Sequence, residues 1–251
     1  PSYVIMLMLS ILINYIFGRV IDATYGTVTS RIMTVIAVMV NLGLLAVFKY
    51  TGFFVENINA LFRIGIPDPQ IGLPLGISFY TFQLVSYVID VYRGDVPAQK
   101  NFATLLLYVS LFHQCIAGPI VRYKDVCSEL AERRSTTQDV ADGIWRFCFG
   151  LAKKAILANA MGNIADEILV AEKLNTASAL SLWIGVLAYS LQIYLDFSAY
   201  SDMAIGMGRM IGIHYRENFD YPYTSRSVTE FWRRWHISLG SFFRDYVYIT
   251  L

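Results

Sequence analysis

Long apolar runs, each closed by a charge, set the pattern of this chain. Five windows contain no Asp, Glu, Lys or Arg: Pro1–Gly18, Ile32–Phe48, Pro69–Ile89, Asn101–Val121 and Leu174–Leu195. Crossing about 30 Å of hydrocarbon takes about 20 mostly apolar residues in a helix. One such run fits a soluble core helix; five, each bounded by charge, predict a polytopic membrane protein. A sixth helix is expected over about Gly143–Met161, and its Arg146, Lys153 and Lys154 make it buried, re-entrant or tilted. The fold class predicted is all-α, a bundle of transmembrane helices.

Two windows are broken. Pro69–Ile89 has two prolines and two glycines in its first half, and Asn101–Val121 ends in HQCIAGPIV. Such breaks leave backbone groups unpaired, which lipid does not tolerate, so these segments belong inside the protein or along a wet cavity. The charge-rich stretch Arg122–Asp142 reads as a surface helix. No internal repeat, low-complexity tract or linker interrupts the chain, so one membrane-embedded domain over 1–251 is expected.

Composition agrees with the pattern. Hydrophobic residues make up 56% and charged residues 16%, against about 45–50% and about 25% in soluble domains. A net charge of +1 offers no basic excess for nucleic acid. Membrane lipid is the expected surrounding. Cys115, Cys127 and Cys148 lack zinc spacing, and an odd count argues against a disulfide framework. Cys115 and Cys148 sit in apolar stretches and read as core thiols. Pro1 opens directly into an apolar run without an initiator Met, so the chain reads as a fragment or processed form. Arg and Lys cluster at Arg122–Arg134 and Arg209–Arg244, which the positive-inside rule would place on the cytoplasmic side.

Ionisable groups within apolar helices mark pathways or sites. The densest case is LDFSAYSDMAIGMGRMIGIHYREN, with Asp196, Ser198, Tyr200, Ser201 and Asp202. On a helix Asp196, Tyr200 and Met203 share a face, which Ser198 does not. These residues form either the polar wall of a reaction cavity or a hydrogen-bonded packing network. GMGRMIG lacks the dinucleotide fingerprint; Gly208 and Gly212 instead offer a small face for close helix approach. His113 and His214 read as structural histidines.

His236 stands apart, in EFWRRWHISLGSFFRDY, among Arg233, Arg234, Trp235 and Arg244. Cations and Trp beside an imidazole suit an anionic thioester carrier or a hydroxyl acceptor. An interfacial anchor of Trp and Arg would look the same. A nucleophile elbow, a P-loop, an H-E-x-x-H pair and a His followed five residues later by Asp are all missing, which disfavours serine and zinc enzymes. A transporter or channel also fits broken helices and intramembrane carboxylates, but transporters often carry paired repeats.

Four stretches together resemble the membrane-bound O-acyltransferases: LGISFYTFQLVSYVIDVYRGD (Leu75–Asp95), IAGPIVRYKD (Ile116–Asp125), LQIYLDFSAYSDMAIGMG (Leu191–Gly208) and ENFDYPYTSRSVTEFWRRWHISLGSFFRDYVYITL (Glu217–Leu251). The similarity runs from about Leu42 to Leu251, in matching order. The branch it resembles comprises the bacterial alginate O-acetylation proteins and their peptidoglycan-acetylating relatives, with teichoic acid D-alanyl transfer more distant. The resemblance implies a ring of helices around a tunnel through the inner or plasma membrane of a bacterium, in a multi-pass arrangement. It implies transfer of an acyl group, acetyl being expected, from acetyl-CoA or another cytoplasmic thioester to hydroxyls of an exported polysaccharide such as alginate, directly or through extracytoplasmic acetyltransferase partners. A D-alanyl or longer acyl group on a carrier protein is the alternative donor. No metal or bound cofactor is implied. His236 matches the first of the family's two histidines and takes an accessory role. The main catalytic histidine, in a later Trp-His-Gly motif, is expected beyond Leu251, so this domain reads as C-terminally truncated. Asp196, Ser198, Tyr200 and Asp202 would line the tunnel. Arg233, Arg234 and Trp235 would bind donor phosphates or hold the interface. A smaller departure is His113, where the family pattern has proline.

Overall fold

The computed structural model describes residues 2–67, 69, 71–115, 118–174 and 176–248. The first residue of the opening window, Ile116 and Ala117 of the second motif, and Ile249–Leu251 of the last lie outside the described residues. The described residues are helical, with no strand among them. They form two compact units, one containing α1 to α5 and the other α6 to α11.

In the first unit, α1 (Ser2–Ala23), α2 (Val28–Phe62), α3 (Ile77–Arg93), α4 (Phe102–Ser110) and α5 (Tyr123–Ala131) follow in order. The α1–α2 pair is packed inside out. The buried positions of α2 are Ser30, Thr34, Ala37 and Asn41, a small and polar stripe. Val35, Met39 and Leu42 face outward and are exposed. Lipid is as apolar as leucine, so helices meet there through small side chains and hydrogen bonds. Asn14 and Asn41 do this by exchanging amides: each donates to the other's Oδ1, at 2.9 and 2.7 Å. Their remaining amide hydrogens go to Ser10 O and Ala37 O, one turn back. Gly18 leaves room for the ring of Tyr87, which is fully buried.

Among the described residues three helices are long and apolar enough to cross a membrane: α1, α2 and, in the second unit, α9 (Ala179–Met210). At 1.5 Å per residue they measure roughly 33, 52 and 48 Å. The other two apolar windows give shorter helices. In Pro69–Ile89 the helix begins only at Ile77, after Gly76 at φ 75°; in Asn101–Val121 it stops at Ser110 and a 3-10 turn, Phe112–Gln114, follows. α3 lies inside its unit, with eleven of its seventeen residues buried, but the glycines and prolines that pointed to an interior place come before it, in a stretch (residues 71–75) that is exposed except at Pro74. Arg122–Asp142 is no single surface helix: α5 buries Tyr123, Val126 and Leu130, and α6 starts only at Thr137.

In the second unit α6 (Thr137–Ala152) runs through a π-helical turn (Lys153–Ala158) into α7 (Asn159–Ile168), and the short α8 (Ala171–Leu174) precedes α9. A capping box of Thr136 and Asp139 starts α6. Hydrogen bonds from the Thr136 hydroxyl and backbone N–H, helped by Arg209 and His214, hold the Asp139 carboxyl down at about 2. Glycines set the approach of α6 to α9: a Cβ on Gly206 would lie 2.7 Å from Gly143 O, and one on Gly150 2.8 Å from Ala199 O. The sequence pointed to Gly208 and Gly212 instead. Gly208 is filled by the ring of Tyr215, and Gly212 (φ 77°) turns the chain after α9. Cys148 is exposed on α6 rather than in a core. Past α9 the chain makes a 3-10 turn at Pro222–Thr224, then α10 (Val228–Arg234), α11 (Ile237–Phe243) and a π-helical turn (Arg244–Tyr248).

Two glycines separate packing from propensity. Gly206→Ala should lower the melting temperature of the full-length protein in detergent, because overpacking costs about 1–3 kcal/mol. Gly43→Ala in α2, where a Cβ meets nothing within 4 Å, should be neutral or stabilising by up to about 1 kcal/mol. Equal shifts for the two would refute the packing account.

Candidate functional site

The second unit holds a cleft of about 740 Å³. One stripe of α9 forms a wall: Tyr194, Leu195, Ser198, Ser201, Asp202 and Ile205. Their spacing of three and four residues keeps them on one helical face. Arg146, Phe149, Lys153 and Leu157 line it from α6 and the π turn, and Glu217 to Tyr221 from the irregular segment after α9.

Asp202 organises the charges. Its Oδ1 accepts from Arg146 Nη2 at 3.0 Å, and its Oδ2 from Lys153. Arg146 also grips Glu217 through both Nη atoms. A bidentate guanidinium–carboxylate pair is both strong and directional. Asp202 and Lys153 are mostly covered, with 17% and 14% of their side chains exposed. The π turn lets neighbouring lysines reach different carboxylates. Lys153 takes Asp202, while Lys154 pairs with Asp196 at 2.6 Å. That second pair is half-exposed, at 42% and 44%.

His236 sits at the junction of α10 and α11, with a left-handed backbone (φ 45°, ψ 54°). A non-glycine residue pays roughly 1–2 kcal/mol for that conformation. Backbone bonds to the 218–220 segment hold it: Ile237 N–H donates to Asn218 O at 2.9 Å, and Asp220 N–H to Arg234 O at 3.0 Å. The imidazole lies edge-on to Phe197, with centroids 4.7 Å apart, and near-parallel to Phe219. Its Nδ1 is 3.1 Å from Asn218 Oδ1. Burial pushes its pKa down to about 4, so the ring is neutral at physiological pH.

Asn218 is completely buried. Besides its contact with His236, Oδ1 accepts from the Ser238 N–H at 3.1 Å and the Ser238 hydroxyl at 2.8 Å, and Nδ2 donates to Ser201 Oγ at 3.0 Å. Asn218 and Ile237, which flank the imidazole, both line the cleft.

The residues singled out in the sequence fall into three places. Ser198 and Asp202 line the cleft, and His236 adjoins it through Asn218. Asp196 is paired with Lys154, and neither it nor Tyr200 is among the lining residues. Trp235 joins an aromatic cluster with Tyr194, Phe219, Tyr223 and Phe231. Arg234 is tied to Glu230 at 2.8 Å, and Arg233 is exposed. Sequence reasoning missed Asn218, Glu217 and the role of Arg146. The spacing of Arg146 and Lys153, seven residues apart on one helix face, was a readable signal. Asn218, uncharged and in an irregular segment, gave none. Among the described residues no three His, Cys, Asp or Glu side chains gather as a metal site.

The two carboxylates of α9 should behave differently. Asp202→Asn leaves Arg146 and Lys153 undercompensated in a covered site and should clearly lower the melting temperature in detergent, since breaking a buried pair costs up to about 3–5 kcal/mol. Asp196→Asn breaks an exposed pair and should change stability by less than about 1 kcal/mol. A larger loss at Asp196 would overturn this ranking.

Comparison with known proteins matches the chain to enzymes of one kind. The sequence profile of the membrane-bound O-acyltransferase family matches residues 96–251. A probable alginate O-acetylase AlgI of Azotobacter vinelandii is 44% identical over 243 residues, covering 95% of this chain and 48% of that protein. A peptidoglycan O-acetyltransferase of Helicobacter pylori is 33% identical, covering 100% and 52%. A teichoic acid D-alanyltransferase of Bacillus subtilis is 31% identical, covering 70% and 45%. The chain thus spans about half the length of the curated relatives it matches. With the profile covering most of the chain, and with the Azotobacter vinelandii protein 44% identical over 95% of it, this chain belongs to the membrane-bound O-acyltransferase family.

Proposed function

We propose that this protein transfers an acyl group, acetyl in the first instance, from a thioester donor to a hydroxyl of an exported polysaccharide. The observation that carries the reading is the imidazole of His236, held on Asn218 beside a cleft whose walls present Arg146, Lys153 and several hydroxyls. The relatives are named for acylating alginate, peptidoglycan and teichoic acid, which favours a polymer hydroxyl as acceptor. Alginate or a similar polysaccharide is the preferred acceptor. D-Alanyl transfer from a carrier protein is the second reading, favoured by the teichoic acid D-alanyltransferases among the more distant relatives. The proposed setting is the inner membrane of a bacterium, with acetyl-CoA or another thioester as donor and extracytoplasmic acetyltransferases as partners.

The chemistry balances without a redox step. The acceptor oxygen attacks the thioester carbonyl as its proton passes to a base. The carbon–sulfur bond then breaks, and the departing thiolate takes the proton, leaving an ester and a thiol. General-base help of this kind contributes about 10²–10⁴-fold, and holding donor and acceptor together supplies much of the rest. In this reading His236 is an accessory to a second histidine outside these 251 residues. It serves either the hydroxyl or the thioester. Ser198 and Asp202 belong to the proposed cleft wall, and Asp196 and Tyr200 to the far side of the same helix. Arg233, Arg234 and Trp235 bind donor phosphates or anchor the interface.

His236→Ala in the full-length protein should cut acetyl ester on the exported polymer by roughly 10²-fold, with the membrane level of the protein unchanged. Unaltered ester content would reduce His236 to an anchor. Ester formation that persists in cells lacking the protein would remove the proposed function altogether.

A further inference from the structure

The hydrogen bonds around Asn218 decide something that the acyl-transfer reading leaves open: which side of the reaction His236 serves. The Ser238 backbone N–H can only donate, and it points at one terminal atom of the Asn218 amide from 3.1 Å. That atom must therefore be the oxygen, as assigned. The Ser238 hydroxyl donates to the same oxygen at 2.8 Å, while the other end of the amide donates to Ser201 Oγ. Asn218 has no exposed surface, so no solvent rearrangement competes with this orientation.

The same oxygen lies 3.1 Å from His236 Nδ1. Two lone pairs facing each other at that distance would repel, so Nδ1 must carry the hydrogen. In a neutral imidazole the other nitrogen is then an acceptor. No described residue forms a hydrogen bond with Nε2. We propose that Asn218 is a positioning residue that holds His236 as the Nδ1–H tautomer, leaving the Nε2 lone pair for the acceptor hydroxyl of the polymer. With that lone pair His236 accepts the hydroxyl's hydrogen bond, or its proton. It cannot donate from Nε2 to a thioester carbonyl. The catalytic half of this statement rests on the acyl-transfer reading; the tautomer does not.

The ring meets Phe197 and Phe219 through its faces and edges and Asn218 and Ser238 through Nδ1, and none of these four is charged. A carboxylate at position 218 would change that. It would accept from Nδ1–H as the amide does, but would also favour the imidazolium.

The test uses the full-length protein, labelled with ¹⁵N-histidine, in detergent or lipid discs. Ring-nitrogen shifts separate pyrrole-type N–H from pyridine-type nitrogen, and His236→Gln identifies the His236 pair. At neutral pH wild-type Nδ1 should be pyrrole-type and Nε2 pyridine-type. Asn218→Ala should shift the population towards the Nε2–H form that free imidazole prefers. It should also lower kcat by roughly 10²-fold with KM little changed, as expected for lost general-base help. Asn218→Asp should restore the Nδ1–H form and much of kcat, and should move the acid limb of the pH–rate profile to higher pH. A wild-type Nε2–H tautomer overturns the proposal whether or not any variant folds, as does an Asn218→Ala protein whose tautomer is unchanged. If the tautomer behaves as described but neither Asn218→Ala nor His236→Ala alters polymer ester, the tautomer assignment stands and the acyl-transfer role of His236 fails.

Discussion

A carboxylate on a long apolar helix has to be neutralised by something, and in the second unit Asp202 sets the terms for its surroundings. Unpaired charge in a covered site is costly, so Arg146 and Lys153 must reach it from α6 and the π turn. They can reach it because Gly143 and Gly150 let α6 lie directly against α9, backbone near backbone. The π turn then rotates Lys153 and Lys154 so that each finds its own acid. Arg146 carries the chain of charge onward to Glu217, in the segment next to Asn218. Glycine spacing, helix irregularity and charge pairing are thus one arrangement, and the cleft lies along it.

The histidine side of the cleft is built differently. It relies on directional hydrogen bonds to backbone rather than on charge. The 218–220 segment runs beside the α10–α11 junction, and two backbone bonds hold His236 in a left-handed conformation that its side chain does not favour. Strain held at a site by surrounding contacts is a common companion of function. Here it aims an uncharged imidazole between Phe197 and Phe219 and onto a buried amide. An aromatic shell lowers the ring's basicity, while the amide settles which nitrogen keeps the hydrogen.

The first unit is held together by a pair of long apolar helices. α2 turns apolar side chains outward and buries serine, threonine, alanine and asparagine, while α1 buries Ser10 and Asn14 beside Ile11 and Ile21. The Asn14–Asn41 exchange uses every amide hydrogen of both residues, so neither carries an unmet donor into an apolar setting. α3 is buried on most sides, whereas the irregular glycine- and proline-bearing stretch just before it, residues 71–75, is exposed except at Pro74.

By itself the sequence determined the all-helical class, the positions of the apolar windows and the family. These depend on composition and on local order along the chain, and they survive without knowledge of any contact. Local order also showed that Pro69–Ile89 and Asn101–Val121 are broken, though not that their helices would shrink to Ile77–Arg93 and Phe102–Ser110. Only the tertiary structure decided which face of α9 meets the cleft. Asp196 and Asp202 are both acids in one helix, and helical periodicity separates their faces without saying which one a partner covers. The answer came from Arg146 and Lys153, about fifty residues earlier in the chain. The same holds for the glycines, since Gly206 and Gly208 differ only in what packs against them. Asn218 is the clearest case: an asparagine in an irregular segment carries no periodic signal, and its role exists only because residues 201, 236 and 238 converge on one amide.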